Sequence, residues 1–155
     1  MKADRGLYCL PQTWEDEYVI AQHRYARGTF SHDTALYLLG LSDQAPEALT
    51  MSFAPGYNTL PAKSFGIIPR FAPKGQFDLG KMTLSTPYGN DVVAYDAERT
   101  LCDTLRGVAQ PDKQIVNPAM RAYLSSSARD LIKLQDYAQK LGVTEKVKDY
   151  LEVLL

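Results

Sequence analysis

The side chains that could do chemistry in this chain are few: His23, His32, Asp33, Asp91, Asp96, Glu98 and Asp103. Ser31-His32 sets a hydroxyl beside an imidazole, the pairing of nucleophilic hydrolases. No glycine elbow surrounds the serine, however, and adjacent residues at a helix start generally point apart, so capping is the expected role of Ser31. Asp96-x-Glu98, with Asp103 further on, has the acids of a magnesium-dependent nuclease or phosphotransfer centre. Thr100 stands where such sites place a lysine, which weighs against that chemistry. His23 and His32 fall on separate expected helices without metal-ligand spacing, and the glycines lack phosphate-loop spacing, so no metal or cofactor site is expected. Lys63, Arg70, Lys74 and Lys81, opposed only by Asp78, form the one basic stretch, a solvated loop or a contact surface for RNA or an acidic partner.

These residues must be positioned by short elements. Phe30 to Leu41 reads as one helix, with Ser31 as N-cap, Asp33 in the first turn and Gly40 turning left-handed so that Leu41 folds back onto Leu36. Ala35, Leu36, Leu38 and Leu39 cover more than one face, which places this helix at the centre of the core. Before it, Leu7 to Leu10 reads as a strand. Thr13 is expected to cap a helix running to about Arg27, with Trp14, Tyr18, Ala21 and Tyr25 on one stripe. Residues 49–53 alternate as a strand with one buried face, and 55–80 reads as a loop-rich stretch containing a strand near 65–68. Residues 82–86 and 91–95 flank a turn-rich tetrad and predict an antiparallel hairpin.

Asp96 is expected to cap the next helix, with Ala97, Leu101, Leu105 and Val108 inward and an Arg99–Asp103 surface pair worth a few tenths of a kcal/mol. Asn117-Pro118 opens a helical segment to Leu124, Ser125 to Ser127 breaks it, Arg129 to Leu141 is helical up to Gly142, and Thr144 caps the last helix. The fold class is therefore α/β or α+β: a small mixed or antiparallel sheet packed with helices, followed by a C-terminal helical subdomain.

A chain of 155 residues fits one domain with a self-sufficient core, and 45% hydrophobic with 23% charged residues is ordinary for a soluble protein. Lysine and arginine (17) nearly cancel aspartate and glutamate (18), so net charge favours neither nucleic acid nor membrane. No run is long and apolar enough for a membrane helix or a signal h-region, and Cys9 and Cys102 stand outside any ligand motif; a cytoplasmic protein with reduced thiols is expected.

The order of several strings carries a resemblance. Arg5-Gly6-Leu7-Tyr8, Phe30-Ser31-His32-Asp33-Thr34-Ala35-Leu36-Tyr37, Gly40-Leu41, Asp96-Ala97-Glu98-Arg99-Thr100-Leu101-Cys102-Asp103 and the closing Tyr150-Leu151-Glu152-Val153-Leu154-Leu155 together resemble the AbiEi family, the antitoxins of type IV abortive-infection toxin-antitoxin systems. The resemblance implies a non-enzymatic antitoxin of bacterial phage defence that counters a nucleotidyltransferase-like toxin without a stable complex. It also implies membership of a family of transcriptional regulators whose N-terminal winged helix-turn-helix binds operator DNA. Residues 1–11 resemble the last wing strand of that module, with only five residues before Gly6, whereas its helices need more than about 30 residues. Operator binding is therefore not expected of this chain. The rest divides into a sheet-containing part (12–111) and a helical part (112–155) of one antitoxin domain. Polar groups on two otherwise core-facing helices need a reason to be there, so Ser31, His32, Asp33, Glu98, Arg99 and Asp103 form the candidate functional surface.

Overall fold

A computed structural model describes residues 15–107 and 112–155, and the backbone of residues 2–4 and 7–8. The expected Thr13 cap, Trp14, Cys9 and Val108 lie outside the described residues. Strands β1 (Lys2–Asp4) and β2 (Leu7–Tyr8) pair antiparallel, and a second sheet of five strands has the order β5-β4-β3-β7-β6. At its centre β3 (Thr29–Phe30) runs antiparallel to β4 (Thr50–Phe53) and parallel to β7 (Asp91–Tyr95). Strand β5 (Ile68–Phe71) is parallel to β4, and β6 (Lys81–Ser85) forms the expected antiparallel hairpin with β7. The sheet is mixed and the fold is α/β.

Each face of this sheet has its own cover. Phe30, Met51, Phe53, Val92 and Ala94 bury one face against Tyr18 and Ala21 of α1 (Glu17–Arg24), its C-cap Tyr25, and Ala62 of α3 (Leu60–Phe65). The α1 N-cap is Asp16. Its Oδ1 accepts from Tyr18 N at 3.0 Å, while Oδ2 accepts from the Thr86 hydroxyl and from Asn90 Nδ2, tying the hairpin turn to the helix. Helix α1 ends at Arg24, with Tyr25 as its C-cap, rather than at about Arg27. Helix α3 falls in the stretch expected to be loop, and the strand expected at 65–68 begins only at Ile68. The signal was present: Pro61 sits in the first turn and Gly66 turns left-handed at the end (φ 105°), the usual proline-glycine asymmetry of a short helix.

The opposite face carries hydroxyls. Register places Thr29 opposite Ser52 and Ser52 beside Arg70, so these three residues form one row across β3, β4 and β5. Strand β4 was expected to have one buried face, but Thr50 and Ser52 are as buried as Met51 and Phe53, because α2 (His32–Leu38) lies over them. Leu41 N donates to Leu36 O (2.9 Å) and Gly40 N to Tyr37 O (3.1 Å), the expected Schellman ending.

Leu36 leads into the second core. It joins Leu101, Cys102 and Leu105 of α4 (Ala97–Leu105) and the apolar stripes of α5 (Lys113–Leu124), α6 (Leu131–Leu141) and α7 (Thr144–Leu154). Helix α5 starts earlier than Asn117-Pro118 suggests, because Asp112 caps it (Gln114 N to Oδ1, 3.0 Å) and leaves Pro118 inside. Asp130 caps α6 and Gly142 ends it, whereas α7 is capped at Val143 without a side-chain bond, Thr144 being its first residue. Among the described residues, no helix is long and apolar enough to cross a membrane.

Candidate functional site

Two polar clusters border the α2–α4 contact. In the first, Ser31 has extended backbone (φ −146°, ψ 176°) and occupies the N-cap position of α2, yet its hydroxyl makes no capping bond. It accepts instead from the Ser52 hydroxyl (2.7 Å) and lies 2.8 Å from His32 Nδ1. The expectation that Ser31 caps and that Ser31 and His32 point apart is therefore corrected. His32 is the only described non-glycine residue with positive φ (54°), and that left-handed backbone turns the imidazole back onto its neighbour. Asp33 Oδ1 accepts from Thr34 N (2.9 Å) and the Thr50 hydroxyl (3.1 Å), and Thr34 Oγ1 accepts from Thr50 N (2.8 Å). The polar groups of α2 thus lock its start to β4.

The second cluster is built on α4. Asp96 caps the helix through Arg99 N (2.8 Å), as expected. Arg99 and Asp103 do pair, Nε to Oδ2 at 2.9 Å, but each side chain is only 1% exposed, so the expected surface pair is a buried one. Arg99 Nη1 also donates to Leu79 O (2.8 Å) and to Gln76 O, and the guanidinium stacks 4.1 Å over the Tyr95 ring. The turn that brings those carbonyls close needs Gly80, whose φ is 82° and where a Cβ would stand 2.8 Å from Arg99 Cβ. Asp103 Oδ1 lies 3.9 Å from Arg106 Nε, and both atoms, with Arg99 Nη2, are buried without a hydrogen-bond partner. Burial pushes the Asp103 carboxyl up, against the pull of Arg99 and Arg106.

Asp96 and Glu98 face elsewhere, toward Lys133 of α6 at 2.9 and 3.5 Å, and Tyr137 OH donates to Asp96 Oδ2 (3.4 Å). The acids at 96, 98 and 103 are each matched to a cation rather than turned toward one another. Among the described residues no group of three or more His, Cys, Asp or Glu is placed to hold a metal ion. The Cys102 thiol is buried near Leu134 O (3.9 Å), and burial pushes it up to about 12, so it stays a thiol at neutral pH.

The two clusters meet through arginine. Burial lowers His32 to about 3, and the positive charges of Arg70, Arg106 and Arg99 act in the same direction. His32 lies beside Ser31 and Ser31 bonds Ser52, which stands beside Arg70 in the β4–β5 register; one residue on, Phe71 O accepts from Arg106 Nη2 (3.0 Å), and Arg106 Nε lies 3.9 Å from Asp103, the partner of Arg99. Of the candidate surface, Ser31, His32, Arg99 and Asp103 belong to this chain of contacts, while Asp33 and Glu98 bond elsewhere. Sequence reasoning missed Ser52, whose strand was expected to have one buried face, and Arg106, which lies off the apolar stripe of α4. Arg70 it assigned to a basic loop stretch, which the fold disperses: Arg70 is in the sheet, and Lys81 pairs with Asp78 at 2.8 Å under the Phe77 ring.

The depressed His32 pKa sets a sign for acid stability. Between about 3 and 6.5 the unfolded chain binds a proton on this ring and the folded chain does not, so stability falls as pH falls through that window. Solvent at the half-buried ring discounts the full shift, and about 2 kcal/mol is expected to be lost by the acid end of the window. Urea unfolding of wild type and His32→Asn across this range checks it: asparagine tolerates the left-handed backbone, and its curve should lack that part of the slope.

Neither a family model nor a curated protein matches this chain.

Proposed function

We propose that this chain is an antitoxin of the AbiEi type, acting in the cytoplasm without enzymatic activity to counter a nucleotidyltransferase-like toxin in bacterial defence against phage. The observation that carries the reading is a coincidence of sequence and packing. The two strings that bear most of the resemblance, Phe30 to Tyr37 and Asp96 to Asp103, supply most of α2 and α4, which pack on each other with Leu36 among Leu101, Cys102 and Leu105. Their polar residues are tied into the sheet and loops around that contact. A nuclease or phosphotransfer reading is less well supported, because Asp96 and Glu98 share Lys133 while Asp103 is held by Arg99.

Co-expression with the product of the adjacent reading frame tests the proposal. Growth arrested by that product should be restored by this chain, and the two proteins should not co-purify. A matched pair in which the chain accumulates folded and growth stays arrested would overturn it.

A further inference from the structure

We infer that the chain binds a nucleotide in a cleft of about 630 Å³ beyond the end of β4, with the base against Tyr57 and Phe77 and the phosphate on Arg27 and Lys81. The cleft is walled by the Arg27-Gly28 link between α1 and β3, by the turn that Tyr57 N closes on Ala54 O (3.2 Å), and by Phe77 and Lys81 where the chain enters β6. Its floor is the sheet. Phe30 pairs with Ala94 and Lys81 with Tyr95, so Thr29, Val93 and Lys81 share the face that carries the hydroxyls. The volume is within the usual range of small-molecule sites.

Rings and cations meet in this cleft. The Tyr57 ring lies flat on Phe53, with centroids 4.5 Å apart and planes 7° from parallel, so a base that enters meets a ring already fixed in a stack. Lys81 Nζ lies 3.7 Å from the Phe77 centroid, which holds a cation beside a second ring. None of the residues lining the cleft is acidic. Arg27 is exposed and makes no ion pair among the described residues, and the partner of Lys81 is Asp78 (2.8 Å), whose side chain is 88% exposed. Such a surface pair is worth little, so a phosphate held by Arg27 and Lys81 can take the place of Asp78. Thr29 is an independent sign of a ligand: it lines the cleft, is 1% exposed, and its hydroxyl is buried without a hydrogen-bond partner. The neighbouring Tyr95 phenol senses that hydroxyl but gives its own proton to Phe77 O (2.6 Å). A buried hydroxyl left unpaired is costly, and a ribose or phosphate oxygen at the bottom of the cleft satisfies it.

Nucleotide binding does not depend on the antitoxin reading: growth rescue and ligand binding are separate readouts, and either can fail alone. The test is a calorimetric titration of the full chain with the four ribonucleoside 5′-monophosphates at constant ionic strength. At least one should bind saturably, and the matching nucleoside and ribose 5-phosphate, each lacking one half of the ligand, should bind roughly tenfold or more weakly. Arg27→Gln, which changes an exposed side chain, should weaken binding about tenfold, and Thr29→Val, which keeps the shape and removes the hydroxyl, should weaken it several-fold. Lys74→Gln, an exposed change outside the cleft, should leave affinity as it is. A parallel titration with a 5′-phosphorylated dinucleotide distinguishes a strand end from a free nucleotide as the source, and tighter binding of either supports the site. No saturable binding, equal binding of the nucleoside or of ribose 5-phosphate, affinity undiminished by Arg27→Gln, or an equal loss in Lys74→Gln would overturn it.

Discussion

Asp103→Ala is expected to destabilise the fold by about 3–5 kcal/mol, the usual cost of leaving one partner of a buried ion pair alone. Both side chains of the Arg99–Asp103 pair are 1% exposed, so water cannot replace the lost carboxylate. Arg99 would keep its bonds to Gln76 O and Leu79 O and its contact with the Tyr95 ring, but its Nη2 already lacks a partner and its charge would be unopposed. Asp103→Asn, which keeps an acceptor and removes the charge, should fall between. The double variant Arg99→Met with Asp103→Leu should recover much of the loss, because matched apolar groups avoid the desolvation that the pair must offset. Urea unfolding midpoints at unchanged slope measure all three. A loss below about 1 kcal/mol for Asp103→Ala would mean that the pair behaves like an exposed one.

Leu36→Ala should cost about 2–5 kcal/mol, the range for deleting a fully buried leucine. Leu36 has no exposed surface and is the buried α2 residue in the core shared with α4 to α7, whereas the other buried groups of α2 are Thr34 and Ala35. Neighbouring Leu38 is half-buried against the other core, and Leu38→Ala should cost much less. Since helices rarely collapse onto a cavity that several elements line, the upper half of the range is expected for Leu36. Thermal or urea unfolding of the two variants side by side checks the contrast; equal losses would show that α2 does not anchor on α4 through this residue.

Much of the architecture was legible because it rests on local rules. The β6–β7 hairpin announced itself by turn residues between two alternating runs, α4 by the Asp96 cap, α6 by its stripe and Gly142, and the end of α2 by Gly40-Leu41. The failures share a cause. Ser31 looked like a cap because a serine before a helix usually is one, yet the strand beside it offered Ser52. Strand β4 looked half exposed because polar residues alternate in it, yet α2 covers those residues. Helix α3 was hidden among prolines whose position, rather than number, was informative.

The same division holds for the candidate site. Residue types and order alone determined that a core-facing helix around Leu36, closed by Gly40-Leu41, and another capped by Asp96 carry unusual polar groups, since endings and stripes depend on neighbours within one turn. Only the tertiary structure decided that Arg99 and Asp103 are buried, that His32 bends back onto Ser31, and that Arg70 and Arg106 belong with them. Those facts depend on which strand lies beside which and on how far water is excluded. Both follow from contacts between residues far apart in the chain, for which spacing along the sequence carries no signal.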